Sequence, residues 1–387
     1  MELLLIIFYD LVILDKLSSY SNIALLNPTR CEEVLLLGSN CSSFKNNGRK
    51  NVTNMETIRL NNRKKSLNII HQRLNVGHLI SHYTTLTINK NSLSENKEIF
   101  HQWLVGFTDG EGTFSIVRQN EKWNLTFKIS QSTYNLRVLN YIKKQLKVGN
   151  INIEKNKKIC NFRIRDRSIL FNIIFPIFDK YPLLTSKKFD YDNFKKAYFI
   201  LSDSKLNSIE KDNFIFKLLN ELKPIEYISS AWRIPLDTVG AFRFSNFESL
   251  VDNTISNFEN ASKVMSKPWL IGFTEAEGSF YLVAKSKDRL VHAFEITQKK
   301  DKIVLLAIKY ILHINTKVQY KKSGYYTIVT TNSRAIENII KYYGNTMKGI
   351  KSLEYRIWAR AYIKHKGNFM ALNHIREKVR IMRKKYI

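Results

Sequence analysis

The chain has 387 residues, 62 of them Lys or Arg against 33 Asp or Glu, for a formal net charge of +29 at pH 7. Hydrophobic residues make up 44%, enough for a packed core, yet no run approaches the roughly 20 apolar residues of a membrane-spanning helix. A cationic excess this large is hard to reconcile with a protein indifferent to polyanions. Lys and Arg that displace condensed counterions drive binding to nucleic acid, with a charged membrane surface the weaker alternative.

Residues 1 to about 95 read as an N-terminal extension, poorly ordered, with the Ser/Asn/Lys character of "CSSFKNNGRKNVTN". Its opening, "MELLLIIFYDLVIL", is interrupted by Glu2 and Asp10 and fits neither a secretory signal nor an Arg-rich, acid-poor presequence. It is read as an apolar patch. Cys31, Cys41 and Cys160 have no metal-ligand spacing and are odd in number, which points to reduced thiols.

A first half is expected over 96–201. "WLVGFTDGEG" (103–112) reads as a helix, "NLTFKISQS" (124–132) as a strand by alternation, and "YNLRVLNYIKKQL" as a helix. A short strand "CNFRIRD" (160–166), a helix "SILFNIIFPIFDKY" and the segment "SKKFDYDNFKKA" (186–197) follow. Residues 202–264 are polar and helical in part, and read as a linker. A second half, 265–387, then repeats the order with "LIGFTEAEGSF", "VHAFEITQK", "DKIVLLAIKYILHI", "YYTIVTT", "SRAIENIIKYYGNT" and "IKSLEYRIWARA", and ends in a basic tail. Glu111 to Glu277 is 277 − 111 = 166 positions, Gln131 to Gln298 is 298 − 131 = 167, and Lys187 to Lys351 is 351 − 187 = 164. A register this constant over a whole half means duplication of one αββαββα unit. The fold class is therefore α+β, with two pseudo-symmetric units.

The repeated phrase has its own logic. On a helix Gly106 and Gly110 fall on one face, one turn apart, as do Gly272 and Ala276. Small residues at that spacing let helix backbones approach closely, which gives a reason to keep Gly where it costs roughly 1 kcal/mol against Ala. Two such helices packed about a pseudo-twofold axis would carry Glu111 and Glu277 to the same end. Carboxylates crowded at helix C-termini repel each other and the dipole. Divalent cations would relieve this, and a pair of them can hold an attacking water and a leaving phosphate oxygen in line. Oxygen ligands favour Mg²⁺. A blander alternative makes each phrase a solvated helix end with Gly112 and Gly278 as left-handed capping residues. Asp109 and Glu275, two positions earlier, are given a capping or polar structural role. Lys187, Lys351, Gln131 and Gln298 would each pass as solvated surface groups, but each recurs in both halves, and a Lys beside a scissile phosphate can stabilise developing charge.

These residues resemble a known family. "LVGFTDGEG" and "LIGFTEAEG" match the LAGLIDADG motif of homing endonucleases position by position, and "FKISQ", "FEITQ", "YPLLTSKKFDY" and "KSLEYRIWARA" fit the segments that follow it. The resemblance covers about 100–364 in the single-chain, double-motif form. It implies a saddle-shaped antiparallel β-sheet platform over the DNA major groove, with the two motif helices packed at the interface. It implies catalytic roles for Glu111, Glu277, Lys187, Lys351, Gln131 and Gln298, and metal ligation by Glu111, Glu277 and the carbonyls of Gly110 and Ala276. It further implies a Mg²⁺-dependent, site-specific double-strand DNA endonuclease that leaves short 3′ overhangs and mediates intron homing. The chain is similar to bifunctional proteins encoded by group I introns of fungal mitochondria, so a maturase acting on group I intron RNA, alone or alongside cleavage, is the alternative. A mitochondrial location, a monomer, double-stranded DNA as partner and no membrane association are expected. Residues 1 to about 95 resemble translated upstream intron or exon sequence. A non-catalytic DNA-binding protein is the remaining rival, though it gives no reason for paired acids at a close helix contact. Ser115, Lys128, Lys285 and Glu295 are candidate base-contacting positions on the strands.

Overall fold

A computed structural model describes residues 94–225, 227–232 and 258–386. Expectations for residues 1 to about 95, including Cys31 and Cys41, fall almost wholly outside them. The first motif lies on helix α1 (94–111). Strands β1 (Gly112–Gln119) and β2 (Lys122–Ser132) follow, then helix α2 (Leu136–Leu146), strands β3 (Asn150–Glu154) and β4 (Ile159–Ile164), and a helix α3 over 167–180. Helix α4 (Lys187–Ser202) closes the unit. The second unit runs α7 (Lys267–Glu277), β5 (Gly278–Ser286), β6 (Arg289–Gln298), α8 (Lys302–Ile311), β7 (Gln319–Lys321), β8 (Tyr325–Thr330), α9 (Ser333–Tyr343) and α10 (Lys351–His365). Between them lie α5 (Ser208–Asn220) and α6 (Phe258–Val264). The basic tail is itself a helix, α11 (Phe369–Tyr386).

Each unit builds one four-stranded antiparallel sheet, in the order β1-β2-β4-β3 and β5-β6-β8-β7. Alternation decides which face is covered. Leu125, Phe127 and Ile129 on β2, and Leu290, Phe294 and Ile296 on β6, are buried, while the residues between them face the other side of the sheet. The outer strands β3 and β7 are short and mostly exposed, unlike the buried central strands. The β1–β2 turn places Asn120 and Glu121 at φ 49 and 59, the left-handed pair of a two-residue hairpin.

Helix α3 is not regular. Residues Leu170–Ile174 form a π turn just ahead of Pro176. Proline has no N–H to bond the carbonyl four residues back, and its ring crowds that carbonyl, so a widened turn accommodates it. The matching helix α9 has no proline and is α-helical throughout. Within 202–264, α5 opens on a capping box between Asn207 and Glu210. Its Asp212 accepts from Arg118 Nη2 (2.8 Å) and Trp123 Nε1 (2.6 Å) on the first hairpin. Helix α11 seats Leu372 against Leu290 and Ala361, and its Arg383 forks onto Glu354 at 2.9 and 3.0 Å. Among the described residues no helix is long and apolar enough to cross a membrane.

Candidate active site

The two motif helices meet through their small residues. A Cβ at Gly106 would sit inside the Trp269 carbonyl, and one at Gly272 inside the Trp103 carbonyl. Because 269 − 103 and 272 − 106 both equal 166, the contact is reciprocal and obeys the internal pseudo-twofold. One turn on, a Cβ at Gly110 would strike the Ala276 methyl and lie 3.2 Å from Glu277 Cγ. Thus α1 and α7 end side by side, and Glu111 and Glu277 emerge together. Both helices run straight into a strand. Gly278 caps α7 in extended conformation (φ −77, ψ 153), and Gly112 has no positive φ, so the left-handed cap is not how these helices stop. Glycine is needed there for space: a Cβ at Gly112 or Gly278 would run into Thr108 or Thr274.

The electrostatics of the pair are unfavourable as they stand. Burial holds the Glu111 carboxyl above the ordinary carboxylate range, offset by a hydrogen bond from Gln131 and by Lys187 and Lys351. Glu277 is raised by burial and then by Glu111 itself. Lys187 and Lys351 are each lowered by burial, the former countered by Asp109, Glu277 and Glu111, the latter by Glu354, Glu275 and Glu111. Lys187 Nζ donates to Thr108 O (3.1 Å) and, very closely, to Gly110 O. Lys351 Nζ donates to Gly278 O (2.6 Å). Two lysines therefore flank two carboxylates from both sides. Gln131 joins the group through Glu111 and accepts from Asn135 Nδ2 (2.6 Å). Gln298 does not mirror it: its Oε1 accepts from the Lys299 backbone N–H (3.0 Å).

Asp109 and Glu275 are buried structural acids that act across the interface. Asp109 accepts from Leu184 N (2.8 Å), Thr185 N (3.1 Å), Thr185 Oγ1 (2.5 Å) and, from the other half, Trp269 Nε1 (2.9 Å). Glu275 accepts from Lys348 N (2.9 Å), Gly349 N and Trp103 Nε1 (3.1 Å). Each acid grips the loop that leads to the Lys of its own half and the Trp of the other. Burial pushes Asp109 up to about 6 and raises Glu275. A second brace lay beyond the reach of residue chemistry alone. Asp301 accepts from Ser186 N (2.7 Å) and Ser186 Oγ (3.2 Å), and Asn135 Oδ1 accepts from Ile350 N (2.9 Å). The residue just before each lysine is thus held by the opposite half. Trp103 with Trp269 and Asn135 with Asp301 recur at the same 166-residue offset as the glutamates. That register was the available signal for them.

The donor set suits a hard divalent cation. Glu111 and Glu277 are anionic oxygen ligands at helix ends whose last carbonyls, Gly110 and Ala276 among them, have no further helical partner. Among the described residues no cluster of three or more His, Cys, Asp or Glu side chains exists. A cation here would be held by this pair, backbone oxygen and water.

A family model described as LAGLIDADG endonuclease matches residues 104–198 and 270–362. A probable intron-encoded endonuclease of Schizosaccharomyces pombe is 39% identical over 306 residues, covering 76% of this chain and 72% of that protein. An uncharacterised mitochondrial protein of Saccharomyces cerevisiae is 30% identical over 237 residues, covering 58% of this chain and 42% of its own length. Among solved structures, the LAGLIDADG meganuclease I-AabMI bound to uncleaved DNA aligns with a TM-score of 0.55 at 22% identity, over 72% of this chain and 98% of that one. The homing endonuclease I-LtrWI bound to target DNA aligns at 0.56 and 22%, over 73% and 96%. At these identities the structural likeness speaks to the fold alone.

Proposed function

Because the chain belongs to the LAGLIDADG endonuclease family, we propose that it is a site-specific, metal-dependent DNA endonuclease that cuts both strands of a long asymmetric site and mediates intron homing. One observation carries the reading: Glu111 and Glu277, one from each half, emerge together from helices locked through Gly106 and Gly272. A duplex has two scissile phosphates, and a pseudo-twofold pair of carboxylates offers one principal ligand for each strand. Divalent ions such as Mg²⁺, when bound, supply the charge neutralisation and activated water of phosphodiester hydrolysis.

The chain's own residues do the rest. Glu111 and Glu277 would hold the cations, with the Gly110 and Ala276 carbonyls as further ligands. Lys187 and Lys351, on the first turns of α4 and α10, present cations to the developing phosphorane charge. For this Lys187 must leave the Gly110 carbonyl and Lys351 the Gly278 carbonyl that each now holds. Gln131 orients Glu111 and nearby water, while Gln298 serves the second centre only if its side chain turns from Lys299 N. A group I intron RNA is the second candidate partner, since the +29 charge would serve RNA as readily as DNA. The S. cerevisiae relative is a mitochondrial protein, and we place this chain there too, as a monomer carrying both halves.

Incubating the protein with a DNA library and Mg²⁺, then sequencing the ends, tests the proposal. A single recurrent site with staggered double-strand ends, abolished by chelation, is expected. Chelator-resistant cutting, or none by a folded, DNA-binding protein, would overturn it. Splicing of the host intron RNA with and without the protein tests the RNA reading.

A further inference from the structure

The open faces of the two sheets carry opposite charge at one matching place. On the first sheet Lys128 is paired across the strands with Arg163 and with Thr113. At the matching positions of the second sheet stand Glu295, Val329 and Ser279, likewise paired. Two cations have become one anion and an aliphatic side chain. Glu295 is also held in place. Tyr281 OH donates to its Oε2 (2.9 Å) and Thr327 Oγ1 to its Oε1 (3.0 Å). Both donors are hydroxyls, one from β5 and one from β8, so the carboxylate is fixed from two strands. Burial and this carboxylate push the Tyr281 phenol up to about 12, so it stays a donor at neutral pH. Each oxygen has one donor and retains acceptor capacity on a half-exposed side chain.

If the open sheet faces meet DNA, as the endonuclease reading requires, a carboxylate fixed there needs a partner that donates. Resting on the endonuclease reading above, we infer that Glu295 is a specificity-determining residue of the second half, accepting from the N4 amino group of a cytosine in the major groove. The edges of the bases support this choice. Guanine (N7, O6) and thymine (O4) present acceptors there and repel a carboxylate. Adenine offers its N6 amino group only beside its own N7 acceptor, whereas cytosine's own major-groove edge offers N4 with no acceptor of its own. Lys128, by the same logic, favours guanine in the other half-site, whereas Arg163 is shared with Glu154 at 3.4 Å.

The test is a base-by-base profile of the full chain, from random duplex DNA selected by binding and, in parallel, by cleavage with Mg²⁺. Wild type should prefer cytosine at one position of one half-site by roughly 5- to 150-fold, the range of one good side-chain–base pair. Glu295→Gln, which suits adenine N6 and N7, should move that single preference from cytosine to adenine. Tyr281→Phe, which removes one donor, should weaken it without moving it. A Glu295→Gln profile identical to wild type, or a preference lost at every position at once, overturns the assignment. Selective binding that shows the cytosine-to-adenine switch without any cleavage would keep the Glu295 assignment and remove the nuclease reading. No selective binding would remove both.

Discussion

At the scale of single residues, the brace around each lysine shows how one side chain can be both needed and costly. Asp301 accepts from Ser186 N and Oγ, but burial and the nearby Asp109 push its carboxyl up to about 6. A carboxylate whose folded pKa lies above its unfolded value contributes most at low pH, and the contribution is lost as pH rises through the folded pKa. From 3.8 to about 6 the loss is on the order of 3 kcal/mol. Asn135 fills the matching place in the other brace as a neutral amide, so an amide fits. Asp301→Asn should therefore raise stability at pH 7.5 and flatten its decline between pH 4 and 6, read from denaturant midpoints across that range. A variant less stable than wild type at pH 7.5 would show that the charge itself holds Ser186. The braces were hidden from a residue-by-residue reading because Asn135 and Asp301 differ in chemistry and sit at ordinary helix starts. Only their spacing ties them together, and their partners are backbone N–H groups that any sequence supplies.

At the scale of elements, the motif helices are the part most fully legible in sequence. Gly106, Gly110, Gly272 and Ala276 announced a close contact, and the backbone carbonyls of Trp103 and Trp269 fill the space those glycines leave. The central strands were equally plain from Phe127, Ile129, Phe294 and Ile296, all buried. The short strands β3 and β7 were not, because three to five mostly exposed residues give too short a window for alternation to stand out from chance. The π turn before Pro176 also escaped, since proline predicts trouble without saying how the chain absorbs it. Gly272→Ala should destabilise the protein by about 1–3 kcal/mol or more, as an added atom with no room, and an unchanged denaturation midpoint would contradict the close packing. Trp103→Phe keeps an aromatic ring, though a smaller one, and removes a donor to buried Glu275. It should cost about 1–3 kcal/mol in the same measurement, and a cost near zero would mean the Lys348 and Gly349 N–H groups satisfy that acid alone.

At the scale of the whole molecule, charge and symmetry govern the expectations. If about 6–10 phosphates are neutralised, DNA affinity should fall by roughly 10³–10⁵ between 50 and 200 mM salt, and a flat titration would count against a nucleic-acid partner for the +29 chain. The duplication was legible because the register survives divergence. The asymmetry within it was not, because Gln131 and Gln298 look alike in sequence while only the former reaches its glutamate. Pseudo-symmetry is also what makes the paired-carboxylate account testable strand by strand. The most direct measurement is strand-resolved cleavage by Glu111→Gln and by Glu277→Gln, with DNA binding measured on the same preparations. Either change keeps shape and removes one negative charge from the proposed cation site, so cleavage should fall on the order of 10³-fold, as for loss of a principal electrostatic group, while binding persists. Full double-strand cleavage by either variant would contradict the account.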